Sequence, residues 1–182
     1  MESLRGVKKM DAQTNVTSTG QKIRTVDITV TAAMAALVFL GTYIFKIPTI
    51  SGYVHLGDCM ILLTVALFGM KKGAIAGAIG GGLSDFIGGY FYWVVPTLLI
   101  KCMWAIVMGL IMHKVLKDKK GSFLIGAIAG GVLHIIAYTL VRVVLYGGKT
   151  AIIEIPALAF QTGAGIVIGF VIYMLLKKSG VA

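Results

Sequence analysis

Long apolar stretches alternate with short polar segments along the chain from Ile28 to Leu176. A hydrocarbon layer about 30 Å thick takes roughly 20 helical residues to cross, and most of the stretches approach that length. The predicted membrane spans cover residues 27–46, 56–70, 73–91, 94–115, 122–146 and 151–176. The predicted fold class is therefore all-α: a polytopic membrane protein whose residues 27–182 form a bundle of six transmembrane helices.

The composition agrees with this pattern, and it differs between the N-terminal segment and the rest of the chain. Hydrophobic residues make up 58% of the chain, which is more apolar surface than a soluble domain of this size can bury. Residues 1–26 instead hold Ser, Thr, Gln and Lys with few large apolar side chains. We predict that they form a disordered cytoplasmic tail. The first apolar stretch is too long for a cleavable signal peptide.

The basic residues indicate how the bundle is oriented in the membrane. The chain holds 17 Lys and Arg and has a net charge of +10. In the six-span arrangement most of them fall on one side, which the positive-inside rule assigns to the cytoplasm. These residues are Arg5, Lys8, Lys9, Lys22, Arg24, Lys71, Lys72, Lys114, Lys117, Lys119, Lys120, Lys177 and Lys178. We predict two cytoplasmic termini in a prokaryotic plasma membrane, and no binding of nucleic acid.

Small residues recur at helical spacing in two of the spans. Gly69, Gly73, Gly77 and Gly81 follow one another at four-residue steps, a spacing that lets helix backbones approach closely. We interpret them as sites of close packing within the protein. Ala32 and Ala36 form a second such pair, which suits internal packing and a partner helix equally well.

Motifs for chemistry are missing from the sequence. No Gly-Lys-Ser/Thr follows the glycines, so the chain has no Walker motif, and no His-Glu-x-x-His indicates a metal site. His134, Ser84 and Asp85 are residue types used in acyl transfer, but no nucleophile elbow accompanies them. Cys59 and Cys102 lie in apolar runs and are expected to be free thiols. We predict a protein that is not an enzyme and needs no cofactor or metal.

Ionisable and polar side chains inside the spans are functional candidates, because charge is costly in a bilayer. In the six-span arrangement they all fall in the outer half of the membrane, whereas a channel would need polar groups along its whole depth. We therefore predict a pocket open to the outside, with aromatic walls. The candidate ligand-binding residues are His55, Asp85, Tyr92, Trp93, Lys101, Trp104, His134, Tyr138, Arg142 and Gln161.

Each candidate also has a purely structural interpretation. Asp85 is expected to pair with Lys101 if it only joins helices, and Arg142 to extend to the membrane surface if it only anchors one. If their roles are only structural, His134 is expected to form an interhelical hydrogen bond and Glu154 to belong to a solvated loop. The aromatic outer loops fit either an interfacial belt or a lid over the pocket.

One series of motifs resembles a known family. The residues His55-Leu-Gly-Asp58, Gly73-Ala-Ile-Ala-Gly77, Leu83-Ser-Asp85, Gly89-Tyr90, Trp93 and Pro96-Thr-Leu-Leu-Ile-Lys101 occur in this order across three spans. They resemble the substrate-binding S component of energy-coupling factor (ECF) vitamin transporters, in the branch with riboflavin and hydroxymethylpyrimidine members. The resemblance covers about residues 27–176.

The resemblance implies a high-affinity vitamin-binding subunit of an ATP-driven importer. The implied partners are a transmembrane coupling (T) subunit, which would contact Ala32 and Ala36, and two cytoplasmic ATPase (A) subunits. The many ionisable candidates favour a small polar ring as ligand, a hydroxymethylpyrimidine or B6-like compound, with riboflavin next. The alternative is a stand-alone small secondary transporter.

Overall fold

The computed structural model describes residues 24–180, which form six α-helices joined by short connections. A hairpin of two antiparallel two-residue strands, β1 (Ile47–Pro48) and β2 (Tyr53–Val54), connects the first two helices. The helices are α1 (Thr25–Tyr43), α2 (Asp58–Phe68), α3 (Met70–Ile87), α4 (Phe91–Gly109), α5 (Ser122–Tyr146) and α6 (Gly148–Lys178). Residues 1–23 of the predicted tail lie outside the described part, and α1 already begins at the tail's penultimate residue.

Four helices are long and apolar enough to cross a membrane: α1, α4 with its π-helical continuation Leu110–Val115, α5 and α6. They coincide with four of the six predicted spans. The eleven residues of α2 reach only about 16 Å. Its Ile61, Leu62 and Val65 are fully buried, so α2 packs inside the bundle. Helix α3 is less apolar because Lys71, Lys72 and Asp85 fall within its eighteen residues.

Three of the four glycines at four-residue spacing, all in α3, lie at close helix contacts, whereas the expectation is wrong for Gly69, which precedes α3 and has no neighbouring atom within 4 Å of an added Cβ. A Cβ on Gly73 would collide with Val65 of α2, and one on Gly77 would lie 3.1 Å from Ile61. On another side of α3, a Cβ on Gly81 would lie 2.9 Å from Thr97 of α4. The small residues therefore let α3 pack directly against two neighbours.

The two ends of the bundle differ in chemistry. At one end, called the hairpin end, Trp93 Nε1 donates to Ser51 O and to Tyr146 Oη, each at 3.2 Å. These contacts join the hairpin, the start of α4 and the end of α5. At the other end, His113 Nε2 lies 3.0 Å from Val65 O and ties the π-helical turn to the end of α2.

A continuous apolar core fills the bundle between that second end and the polar groups near the hairpin. It is built from Val38, Ile61, Leu62, Val65, Ala74, Trp104, Ala105, Met108, Met112, Phe123, Ala127 and Ile166. Cys59 is buried and Cys102 half-buried, and both are free thiols, as predicted. The buried polar side chains are therefore concentrated near the hairpin end.

Candidate functional site

A buried ion pair forms the floor of the polar region. Lys101 Nζ of α4 lies 2.6 Å from Asp58 Oδ1 at the start of α2, and the two side chains are 1% and 0% exposed. Gln161 Nε2 of α6 donates to Asp58 Oδ2 at 2.7 Å. Both carboxylate oxygens are therefore satisfied by neighbouring helices, which is the condition for keeping a charge in such a place.

His134 of α5 continues this network. Its Nε2 lies 3.0 Å from Lys101 Nζ, and its Nδ1 lies 3.0 Å from Thr162 Oγ1. Because an ammonium group only donates, Nε2 accepts and Nδ1 carries the hydrogen that goes to Thr162. Thr162 in turn donates to Leu158 O at 2.8 Å. The floor thus joins α2, α4, α5 and α6 by directed hydrogen bonds.

Above the floor lies a cavity of about 30 Å³. Its walls come from α1, the hairpin and α3 to α6, and most of its lining groups are polar or aromatic. The lining residues are Thr42, Gly52, Tyr53, His55, Asp85, Trp93, Thr97, Tyr138, Arg142, Leu158 and Gln161. This volume has room for a water molecule, whereas sites for small organic ligands measure about 300–1,000 Å³. The cavity is therefore smaller than a typical site for a small organic ligand.

Ser51 at the tip of the hairpin is held by three helices. Its backbone N–H donates to Glu154 Oε1 of α6 at 2.8 Å. Its hydroxyl accepts from Arg142 Nε of α5 at 3.1 Å, and its carbonyl accepts from Trp93 of α4. Arg142 Nη2 also lies 3.8 Å from Glu154 Oε2. These contacts hold the hairpin over the cavity.

A second set of contacts fastens the hairpin to α3. The Tyr53 hydroxyl donates to Asp85 Oδ1. Burial, and next the charge of Asp85, raise the pKa of Tyr53, so this hydroxyl keeps its hydrogen. The Lys46 ammonium lies 4.7, 4.2 and 5.1 Å from the ring centres of Tyr43, Tyr53 and Tyr90, a cage that favours a cation. Partial burial lowers the pKa of Lys46, against the opposing effect of the Asp85 carboxylate.

Aromatic rings line one side of the cavity. The rings of Trp93 and Tyr138 are stacked with their centres 5.6 Å apart, and the Arg142 guanidinium lies 5.1 Å from the Trp93 ring centre. The Tyr138 hydroxyl donates to Thr97 Oγ1 at 2.9 Å. Trp93 and Tyr138 therefore offer flat apolar surface while their polar atoms are already bonded to the protein.

His55 closes the cavity beside Gln161 and holds the backbone that enters α2. Its Nδ1 accepts from the Gly57 N–H at 3.1 Å. Burial lowers the pKa of His55 from 6.5 to about 4, against the raising effect of the Asp58 carboxylate. The ring is therefore neutral at pH 7.

Several buried polar atoms near the cavity have no hydrogen-bond partner among residues 24–180. Asp85 Oδ2, Arg142 Nη1 and Thr42 Oγ1 belong to side chains that line it, and Glu154 Oε2 lies beside Arg142. Buried polar atoms are nearly always paired in folded proteins. These unpaired atoms are concentrated around the cavity. Within the same residues, no three His, Cys, Asp or Glu side chains are arranged to hold a metal ion.

The structure brings most of the sequence-predicted residues together. Those lining the cavity are His55, Asp85, Trp93, Tyr138, Arg142 and Gln161, and Lys101 and His134 form the floor. Trp104 lies one layer deeper: its ring centre is 4.3 Å from that of His134, and its Nε1 donates to Ala127 O at 3.1 Å. Tyr92 is 81% exposed and does not contribute, because adjacent helical residues project about 100° apart and Trp93 takes the inward direction.

The structure contradicts three of the purely structural interpretations, those for Asp85, Arg142 and Glu154. Lys101 pairs with Asp58, so the expected pairing with Asp85 is wrong. Arg142 does not extend to the surface, since it is buried and bonded to Ser51. Glu154 is buried within α6 and does not lie in a solvated loop. The expected interhelical hydrogen bond of His134 is present.

Sequence reasoning missed several residues of the site. Asp58 carried a usable signal, a charge at the head of an apolar stretch, and Thr97 lies one helical turn before Lys101. Ser51, Tyr53 and Thr42 gave no comparable signal, because hydroxyl groups near a loop are common.

The fold and the candidate site together define a multi-pass helical membrane protein with a polar cavity near one end of its bundle. The sequence model described as the ECF-type riboflavin transporter S component matches residues 22–178. The chain therefore belongs to the family of ECF transporter S components, which are substrate-binding subunits of vitamin transporters and not enzymes. Proteins of this kind are embedded in the membrane and work with T and A subunits.

A relative in Pyrococcus woesei is described as an uncharacterised protein in the gap 3′ region. It is 36% identical over 132 residues, which are 72% of this chain and 87% of the relative. Its description names no ligand.

Proposed function

We propose that this chain captures a small vitamin or vitamin precursor from outside the cell and delivers it to an ATP-driven importer. The observation that carries the proposal is the cavity at the hairpin end, which polar and aromatic side chains of five helices and the hairpin enclose. Below it the apolar core, with Ile61, Leu62 and Met108 fully buried, supports closure toward the opposite end.

The orientation that suits this role places the hairpin outside and both termini in the cytoplasm. The basic residues of the described chain support it, because Lys71, Lys72, Lys114 and the pair Lys177–Lys178 lie at or near helix ends remote from the hairpin. The chain then passes through the bilayer six times, although α2, about 16 Å long, covers only part of the thickness and is buried among its neighbours.

The favoured ligand is a hydroxymethylpyrimidine or a B6-like ring, with riboflavin next. The closed cavity is far smaller than any of them, so binding requires the hairpin to move. A single ring requires the smaller displacement. The number of polar groups around the cavity also suits a compact ring with several hydrogen-bonding atoms better than a long tricyclic one.

The coupling subunit is proposed to dock on α1. Ala32 and Ala36 are exposed, and they line a groove of about 1350 Å³ between α1 and α3 together with Ala35 and Gly80. Small residues on an exposed helix face permit close approach of another helix. This surface supports contact with a T subunit, and two cytoplasmic A subunits complete the importer.

Reconstitution in liposomes tests the proposed function. The chain is inserted alone, or together with the T and A subunits of its organism, and uptake of labelled 4-amino-5-hydroxymethyl-2-methylpyrimidine, pyridoxine and riboflavin is measured. We expect uptake of one of them only with all subunits and ATP. Uptake by the chain alone, driven by an ion gradient, would instead establish the secondary-transporter alternative.

A further inference from the structure

The groove between α1 and α3 runs from the middle of the bundle to the end remote from the hairpin. We infer that in the free chain this groove holds one anionic phospholipid, with an acyl chain along its apolar walls and the phosphate at its basic end. The inference goes beyond the proposed function, because it concerns the chain before any T subunit docks on Ala32 and Ala36.

The walls of the groove are apolar over a depth that matches one leaflet of a bilayer. On α3 they are formed by Ile75, Ile79 and Leu83, all of which are exposed. Leu83 and Lys72 lie eleven residues apart on this helix, a rise of about 16 Å. One leaflet contributes about 15 Å of hydrocarbon. An acyl chain that begins at the level of Lys72 therefore covers the apolar walls over their whole length.

The end of the groove remote from the hairpin is positively charged. Among the described residues, it is lined by one acidic side chain, Asp27, and by four basic ones, Arg24, Lys71, Lys72 and Lys114. Asp27 Oδ1 lies 2.8 Å from Lys72 Nζ, so these two charges balance. The other three basic side chains are exposed, and no carboxylate in the described part of the chain lies within ion-pair distance of them. A lipid phosphate supplies the missing counter-ion.

The remaining charges at this end leave the balance positive. Asp118 Oδ1 lies 2.8 Å from His113 Nδ1, and Asp118 is not part of the groove lining. Lys117, Lys119 and Lys120 are exposed in the connection to α5 and add further positive charge. Basic residues near a membrane surface attract lipids with a net negative charge. A zwitterionic lipid brings its own cation close to its phosphate and is therefore less suited to this place.

Charge also argues against two other occupants of the groove. Residues 1–23 of this chain hold four basic and two acidic side chains, so the basic end repels them on balance. Two copies of the chain inserted in the same direction would bring their basic ends together, which is unfavourable as well. An anionic lipid has both the apolar chain and the charge that the groove lacks.

Native mass spectrometry of the full-length protein in a neutral detergent tests the inference. The protein is titrated with dioleoylphosphatidylglycerol and with dioleoylphosphatidylcholine, which have the same acyl chains and differ in net charge. We expect one phosphatidylglycerol to bind at least about tenfold more tightly, since each Lys or Arg beside an anionic headgroup contributes about fivefold. Equal binding of the two lipids overturns the inference.

Glycerol phosphate separates a lipid site from a site for free phosphate. It carries the anionic group without acyl chains, so it should not displace phosphatidylglycerol when the two are present at equal concentration. Displacement under these conditions would show that the apolar walls take no part, which contradicts the inference.

Variants locate the bound lipid. In the double variant Lys71→Gln, Lys114→Gln the preference for phosphatidylglycerol should fall by about tenfold or more. The matched control is Lys117→Gln, Lys119→Gln, which removes two exposed charges at the same end that do not line the groove. Ala32→Trp should weaken the binding of both lipids, because the indole group fills the apolar part of the groove.

An equal loss of preference in the control and in the groove variant would show a general attraction to a basic surface, and it would overturn the inference. Unchanged lipid binding in Ala32→Trp would do the same for the acyl chain. The comparison of the two lipids on the wild-type protein decides by itself should a variant fail to fold.

Discussion

The Asp58–Lys101 pair is the residue-scale feature on which the site rests. Both side chains are buried, and their neighbours Gln161 and His134 complete their hydrogen bonds. A buried ion pair contributes little net stability compared with an apolar pair, but removing one partner leaves an uncompensated charge. The main effect of the pair is therefore to fix the positions of α2 and α4 beneath the cavity.

Asp58→Asn should lower the free energy of unfolding by about 3–5 kcal/mol, because it leaves the Lys101 charge buried without a carboxylate. The double variant Asp58→Asn, Lys101→Met should be less destabilised than the single one. Thermal unfolding in detergent provides the measurement, with Asp118→Asn as an exposed control whose left-handed φ of 57° suits Asn. Additive losses in the double variant would contradict the account.

His55 gives the apo protein a pH dependence in the acid range. Burial holds its pKa at about 4, below the ordinary 6.5, so as pH falls the unfolded chain takes up the proton first. Its contribution to stability is complete above about pH 6.5 and is lost progressively as pH falls toward 4. His55→Gln should therefore show a smaller drop in melting temperature between pH 7.5 and 4.5 than the wild-type protein. Equal drops would show that His55 is not buried in its neutral form.

The sequence predicted the depth of the charged residues better than their pairing. Periodicity and span boundaries assign a height along each helix, and Lys101, His134 and Gln161 do converge. Which of two carboxylates at similar height meets Lys101 depends on how the helices are rotated about their axes, and span boundaries do not reveal that rotation. For this reason the sequence predicted Asp85 as the partner of Lys101, whereas the structure has Asp58 there.

At the scale of elements, the hairpin covers one side of the cavity. Ser51 is bonded to α4, α5 and α6, while Lys46 and Tyr53 fasten the opposite side to α3 and its neighbours. The helices were predictable from apolar runs of adequate length. The hairpin was not, because two-residue strands leave no periodic pattern in a sequence.

Lys46→Met should loosen the hairpin, since it removes the ammonium group from the three-tyrosine cage. A cation–π contact is worth about 0.5–2 kcal/mol, so we expect the rate of ligand dissociation to rise by about 2- to 30-fold. Stopped-flow measurement of tryptophan fluorescence, from Trp93 and Trp104, gives that rate with any ligand found to bind. Lys149→Met, at an exposed position near the α5–α6 turn, is the matched control. An unchanged rate in Lys46→Met would show that the cage does not hold the hairpin closed.

At the scale of the whole molecule, the two surfaces to which we assign ligand binding and partner docking lie apart. The cavity lies at the hairpin end, and the groove beside Ala32 and Ala36 extends toward the other end, where Lys71 and Lys114 line it. Ligand capture and partner docking can therefore be altered independently. The sequence indicated both surfaces, by the depth of its polar residues and by the spacing of its alanines.

Ala32→Trp should block ATP-dependent uptake by the complete transporter and leave ligand affinity of the isolated chain unchanged. The indole group would fill the groove that a partner helix needs. Ala33→Trp is the matched control, because Ala33 is exposed on the same helix but does not line the groove. Normal uptake in Ala32→Trp would assign the alanine pair to another role.

The central claim is that one enclosed polar cavity at the hairpin end holds a small organic ligand. Mass spectrometry of the compounds released from the full chain, purified in detergent, tests it most directly when wild-type protein is compared with Arg142→Met and Asp118→Asn. We predict one small molecule in near-stoichiometric amount from the wild type and Asp118→Asn, and its loss from Arg142→Met. Equal retention by all three proteins, or no retained molecule in the wild type, would contradict the account.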